Sequence, residues 1–120
     1  SDLHTNESFA KLAATHYENG GILGAVCHGP AGLLPIKLSS GELLLASKSV
    51  TGFTREEEID YGTIDAIPFL LEEALTRKSA KFTKVQPWQV FVIEDGRVIT
   101  GQNPASAHAV GEAIIKQLGV

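Results

Sequence analysis

One stretch constrains the fold of this chain more than any other. Residues 22–26 form a short, nearly continuous apolar run that stops abruptly at Cys27 and His28, with Gly29 and Pro30 directly behind them. Such a run is too short to cross a membrane and is typical of a strand that is buried on both faces of a parallel sheet. Pro30 suits the first turn of a helix because its missing N–H needs no partner there. The sequence therefore predicts a sharp strand-to-helix turn at Cys27.

Cys27, the only cysteine of the chain, is a candidate nucleophile because of this position. The arrangement is that of a nucleophile elbow with cysteine in place of serine. A helix N-terminus would lower the pKa of the thiol, and its free N–H groups could hold an oxyanion. His28 could act as an acid or a base, or could donate its backbone N–H to the oxyanion. The alternatives are an inert buried cysteine and a histidine that packs under the turn.

A catalytic histidine is commonly oriented by a carboxylate, and the sequence offers three candidates. Glu56, Glu57 and Glu58 follow the β-rich segment of residues 49–54, just past the carboxyl end of a predicted strand. Active sites of open α/β sheets gather at that end. Thr54 and Glu57 have the spacing of a helix capping box, and acids in a first helical turn often only complement the helix dipole. The residues alone leave all three glutamates open.

The remaining patterns predict alternating helices and strands. Asn6 is expected to cap the first helix, and Asn103 the last, with Pro104 at its first position. The expected elements are a helix containing Phe9, Leu12, Ala13 and Tyr17, a short strand at 43–46, a helix over 65–77, a strand over 82–85, a hairpin of 89–93 with 97–101, and a last helix with Ala107, Val110, Ala113, Ile114 and Leu118 inward. This order predicts an α/β sandwich of three layers with a mostly parallel sheet.

Composition and charge disfavour several classes of function. The net charge is −4 and no cluster of Lys and Arg is present, which argues against binding to nucleic acid or to an acidic membrane surface. A single cysteine cannot form an internal disulfide, and no signal peptide is visible, so a cytoplasmic protein is expected. The histidines show no metal-ligand spacing and there is no glycine-rich phosphate loop, so we expect neither a metal nor a cofactor.

Four segments resemble the ThiJ/PfpI superfamily, which has the class I glutamine amidotransferase-like, flavodoxin-like fold: AVCHGPAGLL, SVTGFTREEE, AIPFLLEEAL and DGRVITGQNPASAH. They are similar to the branch that contains glutathione-independent glyoxalase III and related heat-shock chaperones. The resemblance implies a cofactor-free enzyme that converts methylglyoxal, a small dicarbonyl substrate, to lactate. It assigns the catalytic roles to Cys27 as nucleophile, His28 beside it and Glu58 as the acid, with Glu56 and Glu57 as alternatives. A chaperone or redox sensor, a deglycase and a cysteine peptidase are the other functions that it allows.

The resemblance extends over essentially all 120 residues, but only to the C-terminal half of such a domain. Members of the family place a further catalytic glutamate and a glycine-rich oxyanion loop well before the cysteine, and this chain has neither. We therefore expect residues 1–120 to be half of a single domain, active only when an N-terminal fragment of the same protein packs against it as a second chain. The strand at residues 22–26 would otherwise expose an edge. The resemblance also implies a homo-oligomer, a dimer, of the complete domain.

Overall fold

The structure is a computed structural model that describes residues 3–64 and 70–119, with side chains from residue 7 onward. Its helices and strands in chain order are α1 (Leu3–Glu18), β1 (Leu23–Val26), β2 (Ser49–Val50), α2 (Arg55–Tyr61), α3 (Leu71–Lys78), β3 (Lys81–Phe82), β4 (Val92–Asp95), β5 (Val98–Gly101) and α4 (Ala107–Leu118). Short 3₁₀ helices lie between them at Gly29–Leu33, Leu44–Ser47 and Pro104–Ser106. Within the described ranges, no helix has the length and apolar character that crossing a bilayer requires.

β5 is the central strand of the main sheet. β1 pairs with it in parallel, from Leu23 opposite Val98 to Val26 opposite Gly101, and β4 pairs with its other side in the antiparallel sense. All four residues of β5 are buried. Because alternate side chains of a strand point to opposite faces, Val98 belongs to one apolar core and Ile99 to another. The sheet is therefore covered on both faces, while β2 and β3 form a separate parallel pair.

Two apolar cores form the layers on either side of this sheet. The larger core packs α1, α3 and the segment between β1 and α2 together, with Ala10, Ala13, Ala14, Tyr17, Leu33, Ile36, Leu44, Leu45, Val50, Phe53, Leu71, Leu75 and Val98 buried. The smaller core lies under α4 and contains buried Ile99, Val110 and Ala113, with Ile22, Val26, Val92 and Ile114 packed against them. Helices on both faces of the main sheet, which has one parallel and one antiparallel pair, and the separate parallel pair of β2 and β3 confirm the predicted α/β sandwich.

The outer edge of β1 is open. Leu23 and Cys27 donate their backbone N–H groups to Arg97 and Gly101, on the β5 side. In a parallel ladder the backbone groups of alternate residues face opposite sides, so those of Gly24 and Val26 face away from β5. In the part of the chain that the structure describes, β1 pairs with β5 alone. Beside this edge lies an apolar groove of about 510 Å³, lined by Phe9, Leu12, Ala13, His16, Ile22, Leu23 and Gly24. β1 is thus a strand with one partner and an exposed apolar flank.

Arg97 fastens the end of α1 to the start of β1. Its guanidinium donates to the backbone carbonyls of Tyr17 and Gly21, the latter at 2.9 Å, and lies 4.1 Å from the centre of the Tyr17 ring. The last carbonyls of a helix have no partner within the helix, and Nη1 of Arg97 serves that of Tyr17 together with the Gly21 carbonyl just beyond the helix. The guanidinium adds a cation–π contact. This junction sets the direction in which the chain enters the sheet.

Several local predictions are confirmed. β1 occupies residues 23–26 of the apolar run, and Pro30 lies in the first turn of the helix that follows. β4 and β5 form a hairpin as predicted, with Gly96 at φ 59° in its turn, although its first strand is Val92–Asp95 rather than residues 89–93. Thr54 caps α2 through a complete capping box with Glu57. In each case the signal is local, because the geometry depends on residues within a few positions of one another.

Helix α1 differs from its prediction in both its start and its buried face. The helix begins at Leu3, so the prediction that Asn6 is its N-cap is wrong. Phe9 and Leu12 are 56% and 70% exposed, and they line the groove beside β1. The buried face is made of Ala10, Ala13, Ala14 and Tyr17, which belong to the larger core.

The elements between residues 43 and 85 also differ. The short strand predicted at residues 43–46 is wrong, since Leu44–Ser47 is a 3₁₀ helix whose leucines are buried in the larger core. The strand predicted over residues 82–85 is displaced to Lys81–Phe82. Of the helix predicted over residues 65–77, the structure describes Leu71–Lys78, and residues 65–69 lie outside the described residues.

The last helix begins later than predicted. Pro104–Ser106 form a 3₁₀ turn, α4 starts at Ala107, and Asn103 does not cap it with its side chain. Ala107 is exposed and Leu118 is 61% exposed, so neither belongs to the inward face, which Val110, Ala113 and half-buried Ile114 supply. The Asn103 Oδ1, the atom that would accept from a helix N–H, accepts instead from the Ser106 hydroxyl at 2.8 Å.

Gly101→Ala is expected to destabilise the fold. A Cβ at this position would lie 2.7 Å from Val110 Cγ2 and 3.0 Å from Val26 Cγ2, and overpacking of this kind costs about 1–3 kcal/mol. Gly111→Ala is the matched control, because a Cβ there meets nothing within 4 Å and alanine is favoured over glycine inside a helix by about 0.5–1 kcal/mol. Urea unfolding followed by circular dichroism should show opposite shifts, and a stabilising Gly101→Ala would contradict this account of the packing.

Candidate functional site

Cys27 occupies a left-handed backbone conformation at the end of β1. Its φ is 64°, which a non-glycine residue adopts at a cost of about 1–3 kcal/mol and which surrounding structure must enforce. Two hydrogen bonds do so: its N–H donates to the Gly101 carbonyl at 3.0 Å, and its carbonyl accepts from the Phe53 N–H at 2.9 Å. The side chain is half-buried at the carboxyl end of the sheet. The structure thus contains the predicted elbow.

The helix behind this elbow is shorter than predicted. Gly29–Leu33 is a 3₁₀ helix of five residues, with His28 as its N-cap residue. So short a helix has little macrodipole, because few peptide dipoles add up along it. The N–H of Cys27 itself is already used by Gly101. The elbow therefore offers fewer free N–H groups to an oxyanion than the sequence suggested.

The imidazole of His28 bridges the thiol and a carboxylate. Its Nδ1 lies 3.8 Å from Cys27 Sγ and its Nε2 lies 2.8 Å from Glu58 Oε2. A carboxylate can only accept, so Nε2 carries the proton and donates it to Glu58. In the neutral ring, Nδ1 is then an acceptor that faces the sulfur. The ring also packs on Phe53, with 4.6 Å between the ring centroids, and this contact helps to hold the imidazole between Cys27 and Glu58.

The three consecutive glutamates of α2 point in three directions. Glu56 lies outside and forms an ion pair with Lys84 at 3.0 Å. Glu57 is fully buried and belongs to the capping box. Glu58, 1% exposed, is the one that meets His28. Successive helix residues are rotated by about 100°, so once the capping box turns Glu57 back toward Thr54, its neighbours face elsewhere. That capping box was the sequence signal that could have excluded Glu57.

Glu57 holds the walls of the site together. Besides Thr54, its carboxylate accepts from the backbone N–H of Trp88 at 2.8 Å and from Asn103 Nδ2 at 2.7 Å. The Asn103 amide also donates to the carbonyl of Gln89 at 2.7 Å. The start of α2, the loop before β4 and the turn after β5 thus meet at one buried charge. Nothing in the local sequence around Asn103 signals this role, because its partners are far away in the chain.

Phe53 joins the histidine to two further aromatic side chains. Phe53 contacts both His28 and Trp88, with 5.6 Å between the Phe53 and Trp88 ring centroids, and Tyr61 completes the group. Trp88 has φ 65 and donates its indole N–H to Asp60 at 2.5 Å. The Trp88 ring packs on Phe53 while staying 37% exposed.

The thiol is not ionised in advance. Partial burial raises the pKa of Cys27 above its ordinary value; the backbone N–H of His28 opposes this by donating to the sulfur, and the charges of Glu57 and Glu58 add to the rise. The expectation of a lowered pKa is therefore wrong. The physical reason is partial burial of the thiol, to which the charges of the two buried carboxylates add. A base beside the thiol is needed, and Nδ1 of His28 is the group in that place.

The described side chains do not gather three or more His, Cys, Asp or Glu residues as possible metal ligands. The site contains a thiol, an imidazole acceptor and a buried carboxylate connected in series. These are the groups that nucleophilic catalysis by cysteine requires. The catalytic roles of Cys27, His28 and Glu58 stay predictions; their placement is what the structure provides.

Comparison with known proteins identifies the family. The sequence profile described as "DJ-1/PfpI family" matches residues 1–117. The chain belongs to the DJ-1/PfpI family. It is 40% identical over 116 residues to glutathione-independent glyoxalase HSP31 of Saccharomyces cerevisiae, a match that covers 89% of this chain and 48% of that protein. It is 33% identical over 120 residues to glyoxalase 3 of Candida albicans, covering 95% of this chain and 51% of that one.

Solved structures of the DJ-1/PfpI fold agree with this assignment. Rapid Encystment Protein 24 kDa of Francisella tularensis superposes with a TM-score of 0.87 at 37% identity, covering 92% of this chain and 49% of that chain. Glyoxalase III of Candida albicans gives a TM-score of 0.82 at 31% identity, covering 97% and 54%. The predicted flavodoxin-like, glutamine amidotransferase-like fold is confirmed. The chain spans about half the length of the relatives it matches.

Alkylation of Cys27 by iodoacetamide should depend on pH in a way that shows the raised pKa. The pH at which the alkylation rate reaches half of its maximum should be higher in the folded chain than in the urea-unfolded chain. The unfolded chain is expected to show an ordinary thiol pKa of about 8.5. The only cysteine makes mass spectrometry unambiguous. Because the folded pKa is the higher one, the stability that this group contributes is present below about pH 8.5 and is lost as the pH rises through the folded value. A folded midpoint below the unfolded one would contradict the direction.

Proposed function

We propose that this chain supplies the nucleophilic half of a glutathione-independent glyoxalase, which converts methylglyoxal to lactate without a cofactor. The observation that carries the proposal is the path from Cys27 Sγ through His28 to buried Glu58, with contacts of 3.8 and 2.8 Å. The relatives named as glyoxalases support it, and 40% identity to one of them extends across this site. The substrate class that we propose is a small dicarbonyl with an aldehyde next to a ketone.

The first step is attack of the sulfur on the aldehyde carbon. His28 Nδ1 accepts the thiol proton as the C–S bond forms, and the aldehyde π bond becomes an alkoxide that is protonated to give a hemithioacetal. Glu58 stabilises the imidazolium that arises, since its carboxylate already accepts from Nε2. A raised thiol pKa fits this order of events, because the proton leaves only when the base and the electrophile are both in place.

The second step moves hydrogen from the former aldehyde carbon to the neighbouring carbonyl carbon. A base removes the proton from the carbon that carries sulfur, an enediolate forms, and reprotonation at the neighbouring carbon gives the lactate thioester. Oxidation of one carbon balances reduction of the other, so no external redox partner is needed. Water then cleaves the thioester, releasing lactate and the thiol. The family resemblance assigns the main base of this step to a glutamate outside this chain.

We further propose that the complementary part of the domain packs on the open edge of β1. Gly24 and Val26 direct their backbone groups away from β5, and the exposed Phe9 and Leu12 lie beside them. Exposed apolar surface next to an unpaired strand edge is unfavourable in water and favours strand addition. The chain covers about half of each relative, which leaves a segment of comparable length as the occupant. The thiol sits one residue beyond this edge, so the added segment would border the site.

Cys27→Ala is expected to abolish conversion of methylglyoxal to lactate in the complemented protein. Glu58→Gln should lower kcat by about 10²- to 10⁴-fold, the usual range for loss of acid–base assistance. Glu56→Gln is the matched control, since this carboxylate is two residues away and pairs with Lys84 at the surface. Lactate formation by each variant is measured with a coupled dehydrogenase assay. Turnover that survives Cys27→Ala would overturn the proposal, and suppression of aggregation without turnover would favour the chaperone function.

Complementation tests the need for a second segment. The chain alone, at 12.8 kDa, is expected to bind a fluorescent apolar dye and to self-associate in sedimentation velocity, because the groove beside β1 is uncovered. Mixing it with the part of the S. cerevisiae relative that lies outside the match should reduce dye binding, give a one-to-one complex and raise the rate of lactate formation. A monomeric chain that binds no dye, unfolds cooperatively and gains nothing from the added segment would contradict this proposal.

A further inference from the structure

The carboxylate of Glu58 is held by two different donors. Oε2 accepts from His28 Nε2 at 2.8 Å, and Oε1 accepts from the hydroxyl of Thr63 at 2.7 Å. We propose that Thr63 is a positioning residue: its hydroxyl orients the Glu58 carboxylate, which in turn keeps the His28 proton on Nε2 and its lone pair toward Cys27. This inference rests on the proposed function for its catalytic meaning, although the positioning itself can be measured without turnover.

Burial makes the second donor necessary. Glu58 is 1% exposed, so water cannot solvate the oxygen that His28 does not reach. A buried charged oxygen without a donor carries a penalty that disfavours its orientation or its charge. Among the described residues, the hydroxyl of Thr63 is the side-chain donor on Oε1. It is therefore the group that satisfies Oε1 while Oε2 faces the imidazole.

The end of α2 places this hydroxyl. Gly62 has a φ of 83°, and its N–H donates to the carbonyls of Glu58 and Ile59, both at 3.1 Å. The N–H of Thr63 also donates to the Glu58 carbonyl, at 3.0 Å. This is a Schellman closure, in which a left-handed glycine turns the chain back across the last helical turn. The chain therefore returns to the residue whose carboxylate meets His28, and Thr63 contacts both its backbone and its side chain.

Orientation of the carboxylate decides the tautomer of the histidine. A neutral imidazole has one N–H and one acceptor nitrogen, and the partner of one nitrogen fixes the role of the other. With Nε2–H bonded to Glu58, Nδ1 is free to accept the thiol proton across 3.8 Å. Rotation of the Glu58 carboxylate would weaken the preference for the tautomer with the proton on Nε2. The hydroxyl of Thr63 lies at the far end of the path, away from Cys27, so its effect is exerted through Glu58 and His28.

The first test separates the hydroxyl from the shape of the side chain. Thr63→Val keeps the volume and removes the hydroxyl, whereas Thr63→Ser keeps the hydroxyl and removes a methyl group. In the complemented protein, Thr63→Val should lower kcat by about 10-fold, the equivalent of one hydrogen bond to a charged group, with KM unchanged. Thr63→Ser should retain kcat. Thr76→Val is the control, since its hydroxyl donates to a helix carbonyl at an exposed position. A normal kcat in Thr63→Val, or a loss equal in Val and Ser, would overturn the role.

The second test needs no turnover. Nitrogen-15 NMR of the histidine side chains, at about pH 8 where an ordinary imidazole is neutral, should show His28 protonated on Nε2 in the parent and in Thr63→Ser. Thr63→Val should show averaging toward the Nδ1–H form and faster exchange of the Nε2 proton. If the tautomer shifts as described but no variant makes lactate, the positioning role stands and the glyoxalase proposal fails. If the tautomer is the same in all variants, the positioning role is wrong whatever the activity.

Discussion

The rest of the site depends on one buried negative charge, the carboxylate of Glu57. It accepts hydrogen bonds from the Thr54 backbone and hydroxyl, from the Trp88 backbone and from the Asn103 amide, and it is fully buried. A carboxylate removed from water is tolerated only when its oxygens are saturated with donors. The donors come from three separate segments, so each must be in place for the others to be favourable. This shared dependence fixes the start of α2, and with it the direction in which Glu58 projects.

The local parts of the fold could be predicted because their causes are local. The apolar run before Cys27 led to β1, the Thr54–Glu57 spacing led to the capping box, and Asp95-Gly96 led to the hairpin. Failures occurred where distant packing decides. Phe9 and Leu12 have helical spacing but lie on the exposed side of α1. Spacing specifies that a helix has an apolar face, whereas the partner that covers the face is a property of the whole assembly.

The candidate site shows the same division. The positions of the thiol and the histidine followed from the turn chemistry, and the neighbourhood of the acid followed from the strand end. The choice of Glu58 among three glutamates needed the rotation of α2, which the sequence encoded only indirectly through the capping box. The contributions of Thr63 and Asn103, and the raised pKa of the thiol, depend on burial and on contacts between segments that are far apart in the chain. No pattern of single residues carries that information.

The backbone of Cys27 has a consequence for the order in which the protein matures. Its left-handed conformation is enforced by Phe53 and Gly101, which are synthesised well after it. Chains are made from the N-terminus, and contacts across long loops close only when both ends exist. A nascent or truncated chain that lacks β5 therefore contains the same cysteine without the Gly101 carbonyl that accepts from its N–H. The left-handed conformation of Cys27 can thus be held from both sides only after residue 101 has been synthesised.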